Sequence, residues 1–223
     1  MAETPVKNKN TAKRDRFADL FLLFIFGSLL GVVIEGIFCL LTYGRWETHV
    51  VSVWGHFCII YGIGCVGFYI GGKKLAKKRL LTRFLIFALS ASAIELLCGL
   101  LLEKGLGMYA WDYKGQFLNF RGLISLKMGC AWGVLGLVFS LAIPSIDRGF
   151  DRLHPHYKTA VLIIAVSVIA FDLLFTGVCI GRWSARHNGR PADSRFEAML
   201  DSRYDDEFMQ NRFCEWHFIS DQP

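Results

Sequence analysis

The chain has no cysteine pair in C-x-x-C spacing, no long polar stretch able to fold as a separate water-facing domain, and no complete nucleotide-binding loop. Each absence excludes a class of protein. The seven cysteines (Cys39, Cys58, Cys65, Cys98, Cys130, Cys179, Cys214) offer neither a zinc ribbon nor a readable disulfide framework, and all but Cys214 fall inside apolar runs. They read as small packing residues. Gly67 to Lys73, G-F-Y-I-G-G-K, matches the first part of a P-loop, but Lys74 stands where Ser or Thr would bind magnesium. It also closes an apolar segment instead of joining a strand to a helix. His154-Pro155-His156 has no carboxylate-rich partner set beside it and reads as a solvated loop. No metal or cofactor is therefore expected. The basic run Lys73 to Arg83 has no interleaved aromatic platforms, which argues against nucleic-acid binding.

What the chain does have is apolar length. Of 223 residues, 53% are hydrophobic and 14% aromatic, nineteen of them Phe, and the mean hydropathy is +0.38. A water-facing surface cannot be built from that composition. Five apolar stretches, at 17–42, 50–71, 80–103, 123–143 and 158–180, each approach the ~20 residues needed to cross ~30 Å of hydrocarbon. The expected fold is an all-α integral membrane protein, a bundle of about five transmembrane helices. Its parts are a basic arm (1–16), a five-helix transmembrane domain (17–181) with an ordered outer loop (104–122), and a polar tail (182–223). The first apolar run follows a basic arm, exceeds a signal peptide's apolar core and has no small-residue cleavage site after it, so it reads as a retained first helix.

Lysine and arginine placement predicts the orientation. Lys7, Lys9, Lys13, Arg14 and Arg16 precede the first helix, and Lys73, Lys74, Lys77, Lys78, Arg79 and Arg83 crowd the second loop. Both sets are expected in the cytoplasm, with the first and third loops outside. Five crossings then put the tail outside too, where its arginines are outnumbered by eight acidic residues from Asp193 to Asp221. Basic residues beside the bilayer also attract anionic lipid headgroups, so the bilayer itself is the first expected partner.

Two further patterns concern packing. Gly27 and Gly31, Gly67 and Gly71, Gly129 and Gly133, and Gly177 and Gly181 are one turn apart, which marks close helix contacts within one chain or between copies of a homo-oligomer. In the tail, Phe196, Leu200, Tyr204 and Phe208 recur every four residues and predict one short amphipathic helix.

Carboxylates inside the apolar runs carry the functional signal. Glu35, Glu95, Glu103 and Asp172 lie where an unpaired charge costs several kcal/mol, so each is a candidate site residue. On a helix Glu95 and Glu103 stand about 12 Å apart along the axis and about 80° apart in direction, with Gly99 leaving room between them. Candidate donors are Arg121, Lys127, Tyr61, Trp111 and Asn119. The loop 104–122 is too aromatic for a passive linker. We expect Trp111, Asp112, Tyr113, Asn119 and Arg121 to form an ordered cap over an acidic cavity, with Asp112 pairing Arg121. The other reading of these polar residues is a structural set that fixes helix register.

E-L-L-C-G-L-L-L-E-K (Glu95 to Lys104), W-D-Y (Trp111 to Tyr113), L-N-F-R-G-L-I-S-L (Leu118 to Leu126) and W-G (Trp132, Gly133) follow in order, after G-V-V-I-E-G (Gly31 to Gly36) and G-H-F-C-I-I-Y-G (Gly55 to Gly62). This combination resembles the bacterial CmpB-like membrane proteins described as "putative ABC-transporter type IV" permeases. The second block departs from the family's R-G-x-x-x-G-P-x-C-P-x-Y-G: Val51-Ser52 replace Arg-Gly, and His56 and Ile59 take the proline places. The resemblance implies a multi-pass protein of the bacterial plasma membrane, working with a separate ATP-binding subunit or a larger membrane complex. The leading functional reading is a permease or permease-like subunit with an acidic intramembrane cavity. An accessory or regulatory subunit with a structural polar cluster is the alternative. An enzyme acting on lipid is disfavoured, since no activated nucleophile or metal set stands out.

Overall fold

The computed structural model describes residues 9–46, 50–153 and 155–221. The basic arm's Lys7, Lys9, Lys13 and Arg14, and the pair His154 and His156, lie outside the residues whose side chains are described. The elements are α1 (Lys9–Tyr43), α2 (Ile59–Lys74), α3 (Leu80–Leu106), β1 (Met108–Tyr109), α4 (Leu126–Arg152), α5 (Pro155–His187), α6 (Arg195–Arg203), α7 (Asp206–Arg212) and β2 (His217–Phe218), closed by a 3-10 turn at Ile219–Asp221. The chain is an all-α membrane protein. Helices α1, α3, α4 and α5 are each long and apolar enough to cross a bilayer. Their faces fit lipid: within the most apolar part of each span, the share of residues buried inside the chain runs from 28% in α1 down to 11% in α5. Leu41, Leu89, Leu141 and Leu174 lie wide open, which water would penalise and hydrocarbon would not.

The second apolar stretch folds differently from the continuous span expected over 50–71. Its helix begins only at Ile59 and has 16 residues, about 24 Å of axis. Residues 50–58 form a folded loop, held by side chains far away in sequence. The Cys58 amide donates to the Ser28 carbonyl of α1 (3.1 Å), stitching the start of α2 to the first helix. Helix α2 packs between α1 and α4, α3 against α4, and α5 against α1 and the tail helices. The close approach of α1 and α2 depends on Gly31, where a Cβ would fall 2.2 Å from the Tyr61 ring. Gly129 and Gly133 meet α3 in the same manner, through Ser92 and Phe84, whereas Gly67, Gly177 and Gly181 face open space among the described residues.

Local signals set the other boundaries. Gly107 ends α3 in the left-handed region (φ 64°), its amide bonding back to the Glu103 carbonyl. Ser125 caps α4 by accepting from the Met128 amide. Pro155 opens α5, where a missing N–H costs nothing.

The tail is a small folded cap, not one amphipathic helix. Asp205 accepts from the Phe208 amide (2.8 Å) and starts a second helix, so the expected stripe is broken at Tyr204. Leu200 is buried, while Phe196 and Phe208 are exposed. Together with Val53, Met108, Cys179, Ile180 and Trp183, the tail residues Leu200, Met209, Phe213, Trp216 and Phe218 form the largest buried apolar cluster among the described residues. Two contacts knit this cap to the segment after α3: β2 pairs antiparallel with β1, Met108 opposite Phe218, and the Ile219 amide bonds to the Gly107 carbonyl (3.0 Å). Arg182 and Arg186, at the end of α5, both grip Asp201 at 2.7 Å, and Arg186 also reaches Asp206 at 2.8 Å. Those guanidinium groups hold the Asp201 carboxyl below the usual carboxylate range, the Arg182 hydrogen bond contributing most.

Candidate functional site

Helix α3 presents its two carboxylates to the loop that follows it, and the loop answers with one residue for each. Tyr113 Oη donates to Glu95 Oε1 (3.1 Å), and Arg121 pairs with Glu103. Both pairs are eighteen residues apart in sequence, so the loop runs back alongside the helix in fixed register. Glu95 is buried, and its Oε2 has no hydrogen-bond partner among the described residues. The Trp132 indole nitrogen lies beside the same carboxyl without completing a hydrogen bond. Burial first, and then the charge of Glu95, raise the Tyr113 hydroxyl above the ordinary tyrosine range, so the phenol stays protonated and remains a donor. The charges of Glu35 in α1 and Glu215 in the tail push that hydroxyl in the same direction.

The loop is ordered by its own hydrogen bonds. The Tyr113 amide bonds to Gly122 O (2.8 Å), Gln116 to Tyr113 O (2.9 Å), Phe120 to Ile124 O and Leu123 to Phe120 O (both 3.0 Å). Leu118 and Arg121 sit at positive φ, 49° and 57°, held by this ladder. Trp111 Nε1 donates to the Leu123 carbonyl (2.9 Å). Asn119 braces the loop from inside, giving its amide protons to Lys114 O and Gln116 O and accepting from the Gly122 amide. It therefore does not reach the carboxylates.

Three expectations about this region change. Asp112 does not pair with Arg121; its Oδ1 accepts from the Lys114 amide (2.8 Å) and its Oδ2 lies 3.6 Å from Lys114 Nζ. The space beside Gly99 is filled by Leu123, whose Cδ2 would sit 2.7 Å from an added Cβ. Glu103 and Arg121 belong to a separate, more open cavity of about 250 Å³, lined also by Tyr109, Trp111, Asp112, Lys114, Leu123 and Ile219. One shared acidic cavity is replaced by a deep carboxylate and a shallow ion pair.

Asp172 lies in neither. Its Oδ2 accepts from the Gly55 amide (2.7 Å), and its Oδ1 from the Trp54 amide (3.4 Å) and Thr176 Oγ1 (3.3 Å). Thr176 in turn accepts from the Val53 amide (2.8 Å). From the other side Arg212 donates to Ser52 O (2.9 Å) and Gly55 O (2.5 Å). The loop 52–55 is thus clamped between an α5 carboxylate and a tail guanidinium. Tyr61 has a packing role here, its ring lying over Gly31 beside Val32, Val50 and Cys58.

At the far end of the bundle is a cluster that apolar-run reading passes over. Tyr69 Oη donates to Asp147 Oδ1 (2.5 Å), and Lys73 Nζ donates to both Tyr69 Oη (2.8 Å) and Asp147 Oδ1 (2.7 Å). These residues line a cavity of about 410 Å³ with Arg16, Asp19, Leu20, Phe150 and Asp151. The available signals were i, i+4 spacings: Tyr69 with Lys73, and Asp147 with Asp151.

A helical bundle with lipid-facing spans, a buried carboxylate and an ordered loop answering it defines a polytopic membrane protein with a polar site inside its apolar region. Residues 22–177 match the family described as "Putative ABC-transporter type IV", and the chain belongs to that family. No curated protein and no solved structure matches it.

Proposed function

We propose that the chain is a permease or permease-like membrane subunit of a transporter, non-enzymatic itself, that works with a separate ATP-binding subunit in the bacterial plasma membrane. The observation that carries this reading is Glu95: a carboxylate buried in an apolar helix, one oxygen held by Tyr113 and the other without a hydrogen-bond partner among the described residues. Such a group is costly to keep in a membrane interior and is characteristic of substrate or ion pathways. Family membership supports the transporter class. Glu35, Tyr113 and Trp132 complete the deep site, and Glu103 with Arg121 forms its outer approach.

The accessory-subunit reading is favoured by Asp172, whose oxygens are taken up by backbone amides and a threonine in a purely structural clamp. One experiment separates the two. The full chain is purified from native membranes under mild detergent, and ATP hydrolysis by the co-purifying material is measured for wild type and Glu95→Gln. The permease reading expects an ATP-hydrolysing subunit to co-purify and Glu95→Gln to lower its stimulated rate by about tenfold, a loss of ~1.4 kcal/mol. An ATP-hydrolysing complex indifferent to Glu95→Gln favours the accessory role. A chain that purifies without any such subunit defeats the transporter assignment.

A further inference from the structure

The cavity between the start of α1 and the ends of α2 and α4 carries unused charge of both signs. Its location is at headgroup depth: Arg16 opens the apolar span of α1, Lys73 lies in the last turn of α2, and Asp147 and Asp151 lie in the charged end of α4. The Tyr69–Lys73–Asp147 cluster fixes its inner wall but leaves capacity unspent. Lys73 uses two of its three N–H donors. Both bonds to Asp147 fall on Oδ1, and Oδ2 accepts none among the described residues. Arg16 and Asp151 are both exposed and line the same cavity. Neither makes a hydrogen bond or ion pair among the described residues. Leu20 and Phe150 supply an apolar side.

An anionic ligand alone would meet three carboxylates here, and a cationic one alone would meet Arg16 and Lys73. A ligand with both charges, a few ångströms apart, satisfies both sets. A guanidinium with a neighbouring ammonium suits a phosphate. Two carboxylates one helical turn apart, Asp147 and Asp151, suit a primary ammonium with several N–H donors. The volume, about 410 Å³, lies at the small end of ligand pockets and matches a headgroup better than a large metabolite. We propose that this cavity is a binding site for a zwitterionic phosphate ester bearing a primary ammonium, of the phosphoethanolamine type. Its phosphate lies against Arg16 and Lys73, and its ammonium against Asp147 Oδ2 and Asp151. The site is independent of the transporter assignment, being at the opposite end of the bundle from Glu95.

Native mass spectrometry of the full chain, titrated with single lipids, tests this. Phosphatidylethanolamine is expected to bind about tenfold more tightly than phosphatidylcholine, whose quaternary ammonium has no N–H, and than phosphatidylglycerol, which has no ammonium. Asp151→Asn should remove the preference over phosphatidylglycerol, and Arg16→Ala should weaken both lipids. Neither residue supports a described contact, so both variants should keep the wild-type melting temperature, measured alongside. Soluble glycerophosphoethanolamine identifies the source of the ligand: competition at concentrations similar to the lipid supports a free zwitterion, and failure to compete supports the lipid headgroup. Equal binding of the three lipids by the wild type, or an unchanged preference in a folded Asp151→Asn protein, overturns the proposal.

Discussion

At the scale of single residues, two buried carboxylates of the same chain differ in what lies within hydrogen-bond distance of them. Asp172 meets backbone amides of the 52–55 loop, and its two oxygens are well supplied with donors. Glu95 accepts one hydrogen bond, from a phenol, with the Trp132 indole beside it short of a second. We therefore predict that Asp172→Ala destabilises the folded protein, because it strands buried N–H groups at about 1–3 kcal/mol each. Thermal unfolding of the purified chain should show a lower midpoint, and Gly55→Ala should do the same, since its Cβ would fall 2.2 Å from the Phe57 ring and 2.8 Å from Asp172 Oδ2. An Asp172→Ala protein that melts with the wild type would remove the clamp. Both acids were visible in the sequence as charges in apolar runs, but their different roles were not. Asp172 finds its partners 117 and 118 residues away, and Arg212 reaches the same loop across 157 to 160. Spacing arguments see only residues on one element. Glu95 and Glu103 were legible because both lie on α3, and the loop that answers them follows directly.

At the scale of elements, the loop and the tail cap each make a testable statement. The loop's hydrogen bonds are unevenly distributed, so its exchange should be too. Amides of Tyr113, Gln116, Phe120 and Leu123 are bonded and should exchange slowly, while Gly115, Phe117 and Leu118 should exchange fast. Uniformly fast exchange from 110 to 123 would mean the ladder does not persist in solution. The cap is tied to α5 through Asp201, whose carboxyl is held below its usual range by Arg182 and Arg186. A carboxyl with a depressed folded-state pKa contributes stability that is fully present above its unfolded value, ~3.9, and is lost as pH falls through the folded value. The Asp201 contribution to cap docking should therefore be constant between pH 5 and 7 and weaken only below about 4. Exchange at the Tyr204, Met209 and Phe213 amides, corrected for intrinsic rate, would report it, with Asp201→Asn reproducing the loosening at neutral pH. Long apolar helices were the easiest elements to foresee, since hydrocarbon thickness dictates their length. The start of α2 and the split between α6 and α7 were hidden: the first depends on distant clamps, the second on the single capping carboxylate of Asp205 overriding an apolar stripe.

At the scale of the whole molecule, the first loop, the third loop and the tail meet at one end of the bundle. Arg212 holds the first loop and β2 pairs with β1 just after α3. The charge cluster of Lys73 and Asp147 sits at the other end. This gathering fits a chain with five crossings in which α2, though short, still passes through the bilayer; 16 residues cover about 24 Å, a deficit that local thinning or the flanking Lys73 and Lys74 can absorb. It also bears on orientation. Tail arginines would ordinarily weigh against an outside location, but Arg182 and Arg186 are neutralised by Asp201 and Asp206, and Arg212 is engaged by loop carbonyls. Against Lys104, Lys114 and Lys127 at the loop-and-tail end, Lys73, Lys74, Lys77, Lys78, Arg79 and Arg83 crowd the other end. We predict that this end is cytoplasmic. In a background without native thiols, an impermeant maleimide should label Lys114→Cys in intact cells, and Lys77→Cys only after the membrane is opened. A cysteine at Arg190, an exposed position in the tail, should behave like Lys114→Cys, because the two lie on one knitted face. Labelling of position 77 alone in intact cells would invert the protein and move the cap to the cytoplasm. Labelling of positions 114 and 190 from opposite sides would break the five-crossing arrangement itself.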